Sequence, residues 1–202
     1  MKLRFITHRL KWDELWHLSG RKLSRFIYLI PVKLFKQRTL DKVHEVPECF
    51  EPVDMDPDAV RKSNQSYHKD ILDAGFTYVC SEVRYNEGTN ELHLYSGERM
   101  LIGCAKVCSQ GYEVGLCSVT SLDKMGRRII TSNQNLGMKG PPEWMREFRE
   151  GYSFPSLLAR HRKRMESFDA IEIDKENAKR FIEEGQRQHI KYNLDRGVLE
   201  QS

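Results

Sequence analysis

The chain has 202 residues, of which 39% are hydrophobic and 31% charged, and a formal net charge of +4. A chain of that length buries roughly 70% of its unfolded surface, so it can fold without a metal or a disulfide, and its composition excludes a disordered chain. The charge is unevenly placed: residues 1–42 hold eleven Lys/Arg against three Asp/Glu, while the rest carries a net −4, a split that points to an anionic partner for the first part.

Residues 1–45 read as a basic amphipathic helical arm. Leu10, Trp12, Leu15, Trp16, Leu18, Leu23, Phe26 and Ile27 recur at helical spacings over 9–28, with basic residues between them. Gly20 weakens this helix and Pro31 is expected to bend or end it. The longest apolar run, 26–32 (FIYLIPV), stops at Lys33. It falls well short of the roughly 18 residues of a membrane span. It also lies too late, behind Asp13 and Glu14, for a secretory signal. An intracellular, cytoplasmic protein with reduced thiols is expected, and the odd count of five cysteines agrees. Residues 46–57 (VPECFEPVDMDP) form a Pro-rich linker.

The rest, 58–202, reads as one α+β domain. A helix is expected over 58–74, with Gly75 as its stop. Strands follow at 76–85, 92–95, 100–108, 112–122 and 128–132, each gap filled by turn residues, which describes an antiparallel meander of four or five strands. Residues 133–152, with Pro141-Pro142, are expected to be irregular. Pro155 sits in the first turn of a helix that runs to about 167. Residues 169–173 (DAIEI) are a short strand or a spacer. A last helix starts after Asp174 and ends before Gly197. The C-terminal helices are expected to cover one face of the sheet.

The stretch 102–117, IGCAKVCSQGYEVGLC, holds Cys104, Cys108 and Cys117. On one strand, Cys104 and Cys108 are about 13 Å apart at roughly 3.3 Å per residue, too far to share a zinc ion with bonds of about 2.3 Å. No metal site is expected. A three-residue turn at 109–111 sets Gly103 opposite Cys117 and makes a shallow face of Gly103, Ala105 and Gly115. A two-residue turn at 110–111 sets Cys104 opposite Cys117, and a cross-strand disulfide becomes conceivable. Buried structural thiols are the plainer reading.

No GxSxG elbow, Walker loop or GxGxxG fingerprint occurs, and no pair of histidines has metal-binding spacing. His161 lies on the apolar stripe of its helix. It reads either as a core histidine bonded to its surroundings or as part of a ligand site with Thr131 and Asn133. Arg160, Arg162, Lys163 and Arg164 read as a charged outer face. In the arm, Trp12, Trp16 and Phe26 interleave with Arg21, Lys22, Arg25, Lys33 and Lys36. That pattern suits a lipid interface, nucleic acid, or docking on protein.

The order of "RRIITSNQN", "GPPEWMREF", "YSFPSLLARHRKRM" and "GQRQHIKYNLDRGVL" is similar to a group of uncharacterised bacterial α+β proteins, over about residues 74–199. The resemblance implies an α+β fold and supplies no catalytic residue. Neither catalytic residues nor a cofactor are expected. The leading expectation is a non-enzymatic protein held at a membrane surface or in an assembly by its arm. The alternatives are a small-ligand binder or enzyme with a site near His161, and nucleic-acid binding through the arm.

Overall fold

The computed structural model describes residues 1–19, 21, 23–37, 41–45, 52–63, 67–85, 89–109, 112–134 and 139–201. The expected linker at 46–57 lies largely outside them. The protein is mixed α+β, as expected, and its chain divides into two compact units.

The larger unit contains residues 50–134 and 142–182. Its sheet has six strands in sequential order: β3 (Thr77–Tyr85), β4 (Thr89–Gly97), β5 (Met100–Ser109), β6 (Tyr112–Leu122), β7 (Arg128–Ser132) and β8 (Trp144–Phe148). The first five form the meander. β8 pairs parallel to β7 and corrects the expectation of an irregular 133–152. It is an edge strand made largely of charged and aromatic residues. Its Glu147 carboxylate receives Arg149 at 2.6 Å and Arg160 at 2.9 Å.

Successive residues of β4 and β5 are both buried: Leu94 and Tyr95, Leu101 and Ile102. Side chains alternate across a strand, so the sheet needs cover on both faces. On one face Tyr95, Ile102, Cys104, Cys117 and Val119 pack with residues of α5 (Phe154–Met165), with Ile71 of α4 (His68–Asp73) and with Val60 of α3 (Pro57–Ser63). On the other, Val79, Leu94 and Leu101 pack with Ile173, Ala178 and Phe181. Ala178 and Phe181 belong to α6 (Lys175–Asp195). The expected cover by C-terminal helices is present, divided between the two faces.

The smaller unit contains residues 1–49, 135–141 and 183–202. The N-terminal segment and residues 183–202 thus fall in one unit. β1 (Lys2–Phe5) is the central strand of a small antiparallel sheet, between β2 (Lys42–Glu45) and β9 (Leu199–Gln201). The expected helix over 9–28 is two helices, α1 (Trp12–Leu18) and α2 (Leu23–Leu34). Pro31 lies inside α2, on its exposed side. There water can satisfy the carbonyl that proline leaves without a donor.

A buried carboxylate binds this unit together. Glu14 accepts the Lys11 and Lys139 backbone N–H groups, both at 2.8 Å, and both Arg196 Nη groups at 2.9 and 2.5 Å. Burial pushes its carboxyl up, but the Arg196 guanidinium and the two amides outweigh that and hold it below the usual range. Leu10, Leu15, Leu29 and Val198 make the apolar centre.

Candidate functional site

In the smaller unit, α2 presents its apolar residues on two sides. Leu29 and Val32 face inward. Leu23, Ile27, Tyr28, Leu34 and Phe35 are 55–74% exposed. At 100° per residue, Leu23, Leu34, Ile27, Pro31, Phe35 and Tyr28 fall within one arc of about 140°. Only Ser24 interrupts it among the described residues. Soluble monomers seldom leave so continuous an apolar stripe in water, and such stripes mark interaction surfaces.

The residues singled out in the arm divide between packing and surface. Phe26 packs edge-on against Trp12, with centroids 6.2 Å apart, and against Trp16 at 5.1 Å. These three rings join α1 to α2. Lys33 is also structural: its ammonium donates to the Leu10 carbonyl and to the His8 carbonyl at 3.2 Å. It stands 5.2 Å above the Trp12 ring. Arg25 and Lys36 are exposed, outside the arc of the stripe. Arg21 is exposed before it and donates weakly to His17 Nδ1 at 3.4 Å. Lys22 lies outside the described residues. The exposed lipophilic residues are mostly aliphatic, Leu23, Ile27 and Leu34 among them.

In the larger unit, His161 and Thr131 do meet. His161 is fully buried, with Nδ1 2.9 Å from Thr131 Oγ1 and Nε2 3.0 Å from Ser121 Oγ. One proton arrangement satisfies the whole chain. Arg164 donates to Thr131 Oγ1 at 2.7 Å, and the Thr131 hydroxyl donates to His161 Nδ1. His161 Nε2–H donates to Ser121, whose hydroxyl donates to the Arg99 carbonyl at 3.0 Å. Burial, and then the charge of Arg164, lower the His161 pKa to about 3. The ring is neutral and both its nitrogens are engaged.

Asn133 is placed in a different cluster. Its Oδ1 accepts the Cys117 N–H at 2.8 Å, and its Nδ2 donates to Tyr67 Oη at 2.8 Å. Tyr67 lies over Gly115, where a Cβ would stand 3.3 Å from the ring. The strands set Ser81, His93, Cys104 and Cys117 directly opposite one another across β3, β4, β5 and β6. A β-bulge between Tyr78 and Cys80 brings Tyr78 and Ser81 to one face. Tyr78 Oη and His93 Nδ1 both lie 2.7 Å from Ser81 Oγ. Burial lowers the His93 pKa, with Glu91 opposing. This polar row was not legible in the sequence, because it depends on register across four strands.

The register is the one given by a two-residue turn, with Ser109 opposite Tyr112 and Cys104 opposite Cys117. Gly103 and Ala105 therefore point to one face and Gly115 to the other, and the shallow three-residue face does not form. Arg160 and Arg162 are ion-paired, with Glu147 and Glu98 respectively. An open depression of about 560 Å³ is lined by Arg61, His68, Lys69, Leu72 and Asp73. None of His161, Thr131 and Asn133 lines it. Among the described residues, no group of three His, Cys, Asp or Glu could hold a metal ion, and no helix is long and apolar enough to cross a membrane.

No protein-family model, no curated protein and no solved structure matches this chain. The functional reading therefore rests on the chain's own residues.

Proposed function

We propose that the protein works by attaching reversibly to an anionic membrane surface through the exposed face of α2. The observation that carries this reading is the apolar stripe of Leu23, Ile27, Tyr28, Leu34 and Phe35, left in water on a segment that also exposes Arg25 and Lys36. An amphipathic helix of this kind lies in the interface, with its stripe among the upper acyl chains and its cations at headgroup level. Full burial of each large apolar side chain contributes roughly 1.5–3 kcal/mol. Each nearby cation adds about 1 kcal/mol on an anionic surface. The gross sum suits salt-sensitive, reversible attachment.

Lipid fits this face better than nucleic acid does. Bases stack on aromatic platforms, whereas this stripe is mostly aliphatic, and Trp12, Trp16 and Phe26 are engaged with one another. A ligand or catalytic role at His161 is less well supported, because its ring nitrogens are both bonded inside the core.

Vesicle co-sedimentation of the full chain tests the reading. Binding is expected to vesicles of phosphatidylcholine with phosphatidylserine, to weaken at high salt, and to drop to a small fraction with phosphatidylcholine alone. The pair Ile27→Asp and Phe35→Asp should reduce bound protein at least tenfold while leaving the circular dichroism spectrum unchanged. No binding of the unaltered chain to anionic vesicles sinks the proposal. A dimer in analytical ultracentrifugation, abolished by the same two substitutions, would then assign the stripe to a second copy.

A further inference from the structure

We propose that Cys104 and Cys117 are a site of reversible oxidation, joined by a cross-strand disulfide when a small hydroperoxide reaches them. Both are free thiols, buried on the same face of the sheet, with sulfur atoms 3.5 Å apart. They stand directly opposite each other on β5 and β6.

Their backbone setting suits the bond. Cys117 donates its N–H to Asn133 Oδ1 at 2.8 Å. Its carbonyl accepts the Asn133 N–H and the Ser132 hydroxyl, both at 3.1 Å. Both polar groups of its backbone thus turn toward β7, away from β5. Cys104 and Cys117 are consequently a non-hydrogen-bonded pair, the closer of the two antiparallel pairings, with a typical Cα separation of about 4.5 Å. Disulfides span Cα separations of about 4.4–6.8 Å, with sulfurs about 2.05 Å apart. Closing the gap calls for side-chain rotation and no change of register. Cys80 cannot compete, because it is buried on the opposite face of the sheet.

The chemistry balances with hydrogen peroxide as oxidant. The sulfur of one thiol attacks a peroxide oxygen, the O–O bond breaks, and the departing hydroxide takes the thiol proton, so that a sulfenic acid and water result. The second sulfur attacks the sulfenic sulfur, the S–O bond breaks, and the departing hydroxide leaves as water with the second thiol proton. Two thiols lose two electrons, one peroxide is reduced to two waters, and one S–S bond forms. The hydrogen bond shared with Cys104, and then burial, push the Cys117 thiol up. The oxidant has to be small, since both sulfurs are almost fully enclosed.

The test treats the full chain with hydrogen peroxide, quenches it in denaturant with N-ethylmaleimide, and maps the peptides without reduction. The expected product is one linked peptide pair holding Cys104 and Cys117, lighter by two hydrogens and resolved by dithiothreitol. Oxidised protein should also show a higher Tm than reduced protein, because the link constrains the unfolded chain. Recovery of both cysteines as maleimide adducts after peroxide overturns the proposal. So does a link that joins either of them only to Cys49, Cys80 or Cys108.

Discussion

His161 shows what a single buried residue does for the larger unit. It joins Thr131 of β7 to Ser121 of β6 through two hydrogen bonds, and Arg164 completes the chain from α5. Replacing it by leucine leaves two buried hydroxyls short of a partner, which is expected to cost about 2–4 kcal/mol in urea unfolding. Its titration has a definite sign. The folded ring has a pKa of about 3, against an ordinary 6.5. Between those values the unfolded chain binds a proton that the folded chain refuses. The stability contribution is complete above about pH 6.5 and is lost as the pH falls toward 3, by up to about 1.4 kcal/mol per pH unit. Unfolding curves at several pH values should therefore fall more steeply in acid for the unaltered chain than for His161→Leu. Equal slopes would show that the ring is already charged in the fold. The helical stripe in the sequence indicated that His161 faces the sheet and that Thr131 is near. It could not show that Ser121, forty residues away, would occupy the second nitrogen and close the site.

At the scale of elements, local pattern and distant pairing separate cleanly. The five antiparallel strands β3 to β7 were readable because each is followed by its own turn, and alternation within each strand is a local property. β8 was not, because a parallel partner is reached through a crossover and leaves no turn signal. Pro141-Pro142 just before it and the charges within it also argue for a loop. The small sheet was hidden for a similar reason: Leu3 pairs with Gln201 and with His44, and no window of sequence contains such a pairing. In α2 the helical period was visible, but periodicity alone does not tell which side a neighbour covers. Phe26 turned toward α1, and the aliphatic stripe was left outside. Pro31 on that stripe gives a test of the helix. Proline costs about 3 kcal/mol relative to alanine in a helix interior, and part of that cost is offset here by solvent and by a stiffer unfolded chain. Pro31→Ala should stabilise the protein by about 1 kcal/mol in urea unfolding and leave vesicle binding intact. A loss of stability would mean that α2 does not continue through residue 31.

For the whole molecule, charge asymmetry and domain order have to be read apart. The basic excess of residues 1–42 was plain in the sequence and suggested an appendage. The structure instead builds those residues into a unit with the last twenty, through β1 with β9 and through Glu14 with Arg196. Deleting residues 1–42 therefore removes a strand and a buried ion pair as well as the exposed stripe. Amide hydrogen exchange in such a truncated chain should rise sharply over 183–201, while the strands between 77 and 132 keep most of their protection. Unchanged exchange over 183–201 would restore the appendage view. For the same reason, point changes on the exposed stripe test membrane attachment more cleanly than truncation does.

The pairing of Phe5 with Leu199 also sets an order of events at the ribosome. The central strand of the small sheet is synthesised first, yet its second neighbour emerges only after nearly two hundred further residues. Contacts of such long separation are slow to form. The larger unit can gather its meander while synthesis continues, but the smaller unit completes its sheet only when β9 leaves the exit tunnel. Until then the exposed apolar stripe of α2 is carried by a half-built support, and such an interval exposes a nascent chain to aggregation.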